Sequence, residues 1–106
     1  MINILLVCGS GASSGFIAQS MRKAAKIRNL EAKIKAVSDA ELMDFADEID
    51  VLMIGPHLKC REEEIREKLT GFNISIGIID KNFYGSMNGE GVLDQALDLL
   101  KQTKGE

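Results

Sequence analysis

The chain predicts an α/β fold: a single three-layer domain with a four-stranded parallel sheet and helices on both faces. Apolar runs of strand length recur at residues 2–7, 30–37, 50–56 and 73–80, and each is followed by residues with helical spacing. Strand and helix alternating in this way close into a parallel sheet with right-handed crossovers, which places helices on both sides. A length of 106 residues with 45% hydrophobic content supplies one core and is too short for two, so residues 1–106 form one domain.

The first run, "INILLV" (2–7), is apolar throughout and ends at glycines, as a strand buried on both faces does. Beyond a Gly/Ser loop, Phe16, Ile17, Met21, Ala24 and Ala25 form a helical stripe that starts at Phe16, with Gln19, Arg22, Lys23 and Lys26 opposite. "LEAKIKAV" (30–37) alternates apolar and charged residues, the pattern of a strand near an edge. Ser38 and Glu41 have capping-box spacing for a short helix through Ala40, Met43 and Ala46. "DVLMIGP" (50–56) fits a central strand. Leu58, Ile65 and Leu69 then make a stripe, with Glu62 and Arg66 as an i,i+4 pair and Gly71 near the helix end. "NISIGIID" (73–80) is the fourth strand, and Val92, Leu93, Ala96, Leu97 and Leu100 give the last helix its apolar face.

Composition removes several functions. A net charge of −3 provides no basic field for a phosphate backbone, which argues against nucleic acid as a partner. The two cysteines, Cys8 and Cys60, lack C-x-x-C spacing and further thiols, which argues against a zinc site or a disulfide framework. "INILLVC" is too short to span a bilayer and has no basic segment before it, so the chain reads as cytoplasmic with Cys8 reduced.

Cys8 stands at the carboxyl end of the first strand, where parallel sheets meet their ligands. In "LLVCGSGASSGF" (5–16) it is followed by three glycines and three serines within seven positions. A glycine-rich turn between strand and helix can aim successive N–H groups at one point, and the helix start adds partial positive charge. A phosphate is the expected occupant. Gly9, Gly11 and Gly15 permit the backbone conformations of such a cradle, and Ser10, Ser13 and Ser14 supply hydroxyl donors.

Nucleotide signatures do not fit. The loop ends "SSGF" without the Walker lysine, and Gly15 falls one position late for G-x-G-x-x-G, although Glu31 lies at a distance suited to a ribose. The field that holds a phosphate also favours a thiolate. On composition and spacing alone Cys8 is either a nucleophile that takes a phosphoryl group onto sulfur or a small apolar residue filling a strand end. Low-molecular-weight tyrosine phosphatases use C-x5-R, but the sixth position after Cys8 is Ser14 and no loop residue is basic. Monoester hydrolysis therefore lacks its guanidinium. The alternatives to phosphoryl carriage are a cysteine-dependent phosphatase and a non-catalytic anion-binding module.

Three blocks, "ILLVCGSGASSGFIAQSMRKAA", "DVLMIGPHL" and "IIDKNFYGSMNGEGVLDQAL", make the chain resemble the IIB component of the bacterial sugar phosphotransferase system, in its lactose, cellobiose and chitobiose group. The resemblance implies strand order 2-1-3-4 and a loop similar to that of the low-molecular-weight phosphatases. It implies a phosphoryl relay in which Cys8 accepts the group from a phosphohistidine of IIA and passes it to a sugar in the membrane component IIC, without a cofactor or metal. The phosphate loop carried over by position is Gly9, Ser10, Gly11, Ala12, Ser13, Ser14, Gly15 and Phe16. The sugar implied is a β-linked disaccharide such as cellobiose, lactose or chitobiose, and the location is the inner face of the membrane, through IIC. Members often carry C-x-x-G-M-S/T. Here Ala12 replaces the methionine while Ser13 keeps the hydroxyl, which changes the surface offered to partners.

Outside the loop, His57 follows Gly55-Pro56 at a strand end and reads as an exposed turn residue. By the resemblance it is not the phosphorylated position. Cys60 has no cradle after it and reads as structural. Asp80 suits a helix cap better than the general acid of a phosphatase. Phe83 and Tyr84 read as core and rim packing, and "REEEIREK" (61–68) as a solvated face with ion pairs. Phe16 and Ile17, if exposed, would give IIA and IIC an apolar contact; otherwise they pack beneath the sheet edge.

Overall fold

A computed structural model describes residues 2–7 and 12–103, apart from the side chains at positions 12–14, 39, 102 and 103. In chain order the elements are β1 (Ile2–Val7), α1 (Ala12–Ile27), β2 (Ala32–Val37), a 3-10 turn (Asp39–Glu41) running into α2 (Leu42–Phe45), and β3 (Val51–Ile54). A second 3-10 turn (Pro56–Arg61) runs into α3 (Glu62–Lys68), followed by β4 (Ser75–Ile78), α4 (Lys81–Gly85) and α5 (Gly89–Thr103).

All three strand pairings are parallel, and the order is β2-β1-β3-β4. β1 and β3 are internal, so their side chains are buried in both directions, which explains why "ILLV" and "VLMI" are apolar without alternation. Side chains at successive positions enter opposite cores. Ile4 and Leu6 pack with Ile17, Met21, Val92, Leu93 and Ala96 beneath α1 and α5. Leu5 and Val7 pack with Leu42, Ile49, Leu58, Ile65 and Leu69 beneath α2 and α3. Three layers result, and the predicted sheet order and fold class hold.

Four local expectations are corrected. α1 begins at Ala12, four residues before the expected start at Phe16, because a Gly/Ser run that resembles a loop is also tolerated in a first helical turn. The short second helix buries Leu42 and Ala46 and leaves Ala40 and Met43 exposed. Its 3-10 entry shifts the phase of the stripe. Of the expected capping box, the Glu41 carboxylate accepts from the Ser38 N–H at 3.4 Å, whereas the Glu41 N–H donates to the Ser38 carbonyl instead of its hydroxyl. α4 replaces what the sequence pattern reads as a Gly-rich connection, since five residues ending in glycine show no periodicity. The stripe of Leu58, Ile65 and Leu69 and the Glu62–Arg66 pair, at 2.8 Å, are as expected.

Candidate functional site

Because the chain leaves β1 toward β2 on one side and later continues from β3 toward β4 on the other, the carboxyl ends of β1 and β3 form the switch point of the sheet. Parallel sheets of this kind bind ligands there. Val7 closes β1 in register with Ile54, and the Gly55 N–H donates to the Val7 carbonyl at 2.8 Å. The next residue in sequence is Cys8. Cys8, Gly9, Ser10 and Gly11 lie outside the described residues.

On the far side of those four residues α1 starts, with Ala12, Ser13 and Ser14 in its first turn. The leading N–H groups of a helix have no intrahelical acceptor and carry the positive end of its dipole. Gly15 already has helical backbone, and nothing lies within 4 Å of the position a Cβ would take there. Phe16 is the fifth residue of the helix, so its N–H belongs to the helical ladder. Its ring is 62% exposed, whereas Ile17 is fully buried in the core. Of these two residues, Phe16 therefore offers the apolar surface and Ile17 packs under the sheet.

The turn after β3 carries His57 past the same end of the sheet. His57 is exposed, and its ring lies 5.5 Å from that of Tyr84, tilted by 51°. Tyr84 comes from α4, whose N-cap is Asp80: its Oδ1 accepts from the Asn82 N–H at 2.8 Å. The Asp80 N–H donates to Gln95 Oε1 at 3.0 Å, and Gln95 Nε2 donates to the Ile78 carbonyl at 2.6 Å, so α5 braces the end of β4. Asp80 is thus a cap, as its sequence context favours. Pro56, Lys59, Asp80, Lys81 and Gln95 line a shallow depression between the turn after β3 and the start of α4.

Cys60 is exposed on the turn after β3 and stands before a helix whose first turn is Glu62, Glu63 and Glu64. Within 61–68, Arg61 pairs with Glu64 at 3.1 Å and Arg66 with Glu62, the solvated face expected. No spacing in the sequence signals the contact between His57 and Tyr84. The available signal was positional: both residues follow the carboxyl ends of adjacent strands.

Residues 3–95 match the family described as PTS system, lactose/cellobiose specific IIB subunit. An oligo-beta-mannoside-specific EIIB component of Bacillus subtilis is 31% identical over 100 residues, covering 94% of this chain and 97% of that one. The lactose-specific EIICB component of Staphylococcus aureus is 25% identical over 94% of this chain, which spans only 17% of that longer protein. Among solved structures, a cellobiose-specific phosphotransferase IIB component from Borrelia burgdorferi is 35% identical with a TM-score of 0.80, covering 96% of this chain and 94% of that one. At the level of fold alone, a low-molecular-weight protein tyrosine phosphatase from Bacillus subtilis aligns over 97% of this chain and 95% of its own, with a TM-score of 0.56 at 14% identity. By the match over residues 3–95 and the similarity to the Bacillus subtilis component, the chain belongs to the lactose/cellobiose-specific IIB family of the sugar phosphotransferase system.

Proposed function

We propose that this IIB subunit is a phosphocysteine carrier, with Cys8 as the covalent site. The observation that carries the proposal is the family match, which runs through Cys8 and the whole loop. In the first step the Cys8 thiolate attacks phosphorus in line. The P–S bond forms as the P–N bond to a phosphohistidine of IIA breaks, and the imidazole leaves with the electron pair. In the second step a sugar hydroxyl held by IIC attacks phosphorus and gives its proton to solvent as the P–O bond forms, while the P–S bond breaks and the thiolate leaves with the electron pair.

The protein contributes position and charge compensation. The N–H groups of Gly9 through Gly15, with the hydroxyls of Ser10, Ser13 and Ser14, cradle the equatorial oxygens, while Ala12 and Phe16 complete the loop. The helical backbone from Ala12 onward and the exposed ring of Phe16 support this reading, in which the leading amides of α1 act as donors and Phe16 meets the partners. Each donor removed costs roughly 10²-fold in transfer rate, by analogy with oxyanion holes.

The Staphylococcus aureus relative, named for IIC and IIB together, supports IIC as acceptor partner. Relatives named for lactose, cellobiose and oligo-beta-mannoside support a β-linked disaccharide as the sugar. Among the described residues no helix is long and apolar enough to cross a membrane, and we place the protein at the cytoplasmic face, held there by IIC.

Incubation with a phosphohistidine donor set tests the proposal by intact mass. An adduct of about 80 Da, the mass of one phosphoryl group, is expected on the wild type. Cys8→Ser abolishes it and Cys60→Ser leaves it intact; the reverse pattern overturns the site assignment. Turnover of a generic phosphate monoester without a carrier adduct would make the protein a phosphatase instead.

A further inference from the structure

We propose that the outward face of α1, together with the turn before α5, is a surface that rests on an anionic phospholipid bilayer. The inference goes beyond the phosphoryl transfer proposed above and uses none of its steps. The net charge of −3 conceals a segregation of charge along the chain. Residues 12–37 hold six of the 13 basic side chains and a single acid, Glu31, whereas the rest of the chain holds seven bases against fifteen acids. α1 itself contains no acidic residue.

On this helix the charge is joined by apolar side chains that the core does not take. Lys23 and Ile27 follow Phe16 by seven and eleven residues, close to two and three helical turns, so the three share one stripe about 16 Å long. Phe16 is 62% exposed and Ile27 82%. Met87, exposed in the turn between α4 and α5, lines a depression with Lys23 and Ile27. That turn lies tight against α1, because a Cβ on Gly89 would collide with the Ser20 side chain. Met87 holds a φ of 55°, a left-handed backbone in which glycine would be less strained. Three of the five large apolar side chains exposed among the described residues thus gather on one face.

The lysines of this face are not cancelled by neighbours. Lys23 and Lys26 are exposed and take part in no ion pair among the described residues. Arg22 is held on the Ile34 carbonyl, a neutral acceptor, and keeps its charge. Glu90 and Asp94, the acids that α5 brings alongside, are matched by Arg28 at 3.4 and 2.7 Å. A protein partner would call for a contiguous apolar centre with charges at the rim. Here lysine separates the apolar side chains, an arrangement in which each sinks singly among lipid headgroups while the amines between them meet phosphates. Anionic lipid attracts every basic residue near its surface, and the acidic remainder of the molecule turns away from it.

Co-sedimentation of the full chain with lipid vesicles tests the assignment. Vesicles of phosphatidylcholine with about one-third phosphatidylglycerol are expected to retain the protein, vesicles of phosphatidylcholine alone are not, and retention weakens as salt rises. Lys23→Gln combined with Lys26→Gln lowers the partition coefficient roughly 30-fold, at about fivefold per charge near an anionic surface. Lys59→Gln combined with Lys81→Gln removes the same charge from the depression beside β4 and leaves retention unchanged. Ile27→Ser weakens retention severalfold, a loss that charge alone does not produce. All five positions are exposed, so matched melting curves confirm that each variant folds. A wild type that binds neither vesicle or both alike, a Lys59 and Lys81 variant that loses as much as the Lys23 and Lys26 variant, or wild-type retention in Ile27→Ser overturns the assignment and leaves this face to an acidic protein. No phosphoryl donor enters the measurement, so each of those outcomes leaves the carrier function standing.

Discussion

Ser75 places a hydroxyl in the sheet with no hydrogen-bond partner: the residue is 2% exposed and its Oγ is unpaired among the described residues. Burying such a group costs about 1–3 kcal/mol relative to an apolar replacement of the same shape. Ser75→Ala is therefore expected to stabilise the protein by about 1 kcal/mol, which for a domain of this size raises the melting temperature by about 4–8 °C. Differential scanning calorimetry checks this, and a lower melting temperature would show that the hydroxyl is engaged.

Elements were legible in the sequence in proportion to how uniformly they are buried. β1 and β3 show in the sequence because both faces are covered, and α5 because Val92, Leu93 and Ala96 repeat at helical spacing against a single core. The apolar spacing of α2 is out of phase with its buried face because its entry turn is 3-10, and α4 leaves no mark in the sequence because five residues cannot display a period. Helix-to-helix approach is invisible in a periodicity, yet α1 and α5 meet closely at Gly89: a Cβ there would run into the Ser20 side chain and come within 2.6 Å of the Met21 nitrogen. Gly89→Ala is expected to destabilise by about 1–3 kcal/mol despite alanine's better helix propensity, since crowding a packed contact outweighs it. Gly85→Ala, with nothing within 4 Å of the new methyl, is the control and should be neutral or stabilising by up to about 1 kcal/mol. Urea denaturation distinguishes them, and equal midpoints for the two variants would show that α5 can retreat from α1.

At the scale of the whole molecule, the sequence showed that Cys8 follows a strand and precedes a helix, but not that His57 meets Tyr84. That contact joins residues separated by α3 and β4, and only the strand order brings them together. The same order leaves two lateral edges, and each is closed by side chains. Ile2 N–H bonds the Glu31 carbonyl, so in β2 alternate residues face β1 and the Ile34 carbonyl points outward, where Arg22 Nε and Nη2 donate to it at 2.9 and 2.6 Å. In β4 the Ser75 and Ile79 N–H groups face β3, so the carbonyls of Ile76 and Ile78 point outward. They accept from Arg66 Nη2 at 3.1 Å and from Gln95 Nε2. Open edges template pairing with a second chain, and donors from the covering helices blunt them. For the carrier function proposed above, in which two partners are met in turn at the carboxyl end of the sheet, sides that do not pair are an advantage. Arg22→Ala combined with Arg66→Ala should lose on the order of 1 kcal/mol per edge and associate more steeply with concentration than the parent in sedimentation velocity. Lysine at both positions keeps a donor and should restore the parent's profile. If the double alanine variant sediments as the parent does at every concentration, the two arginines brace helices against strands without guarding the edges.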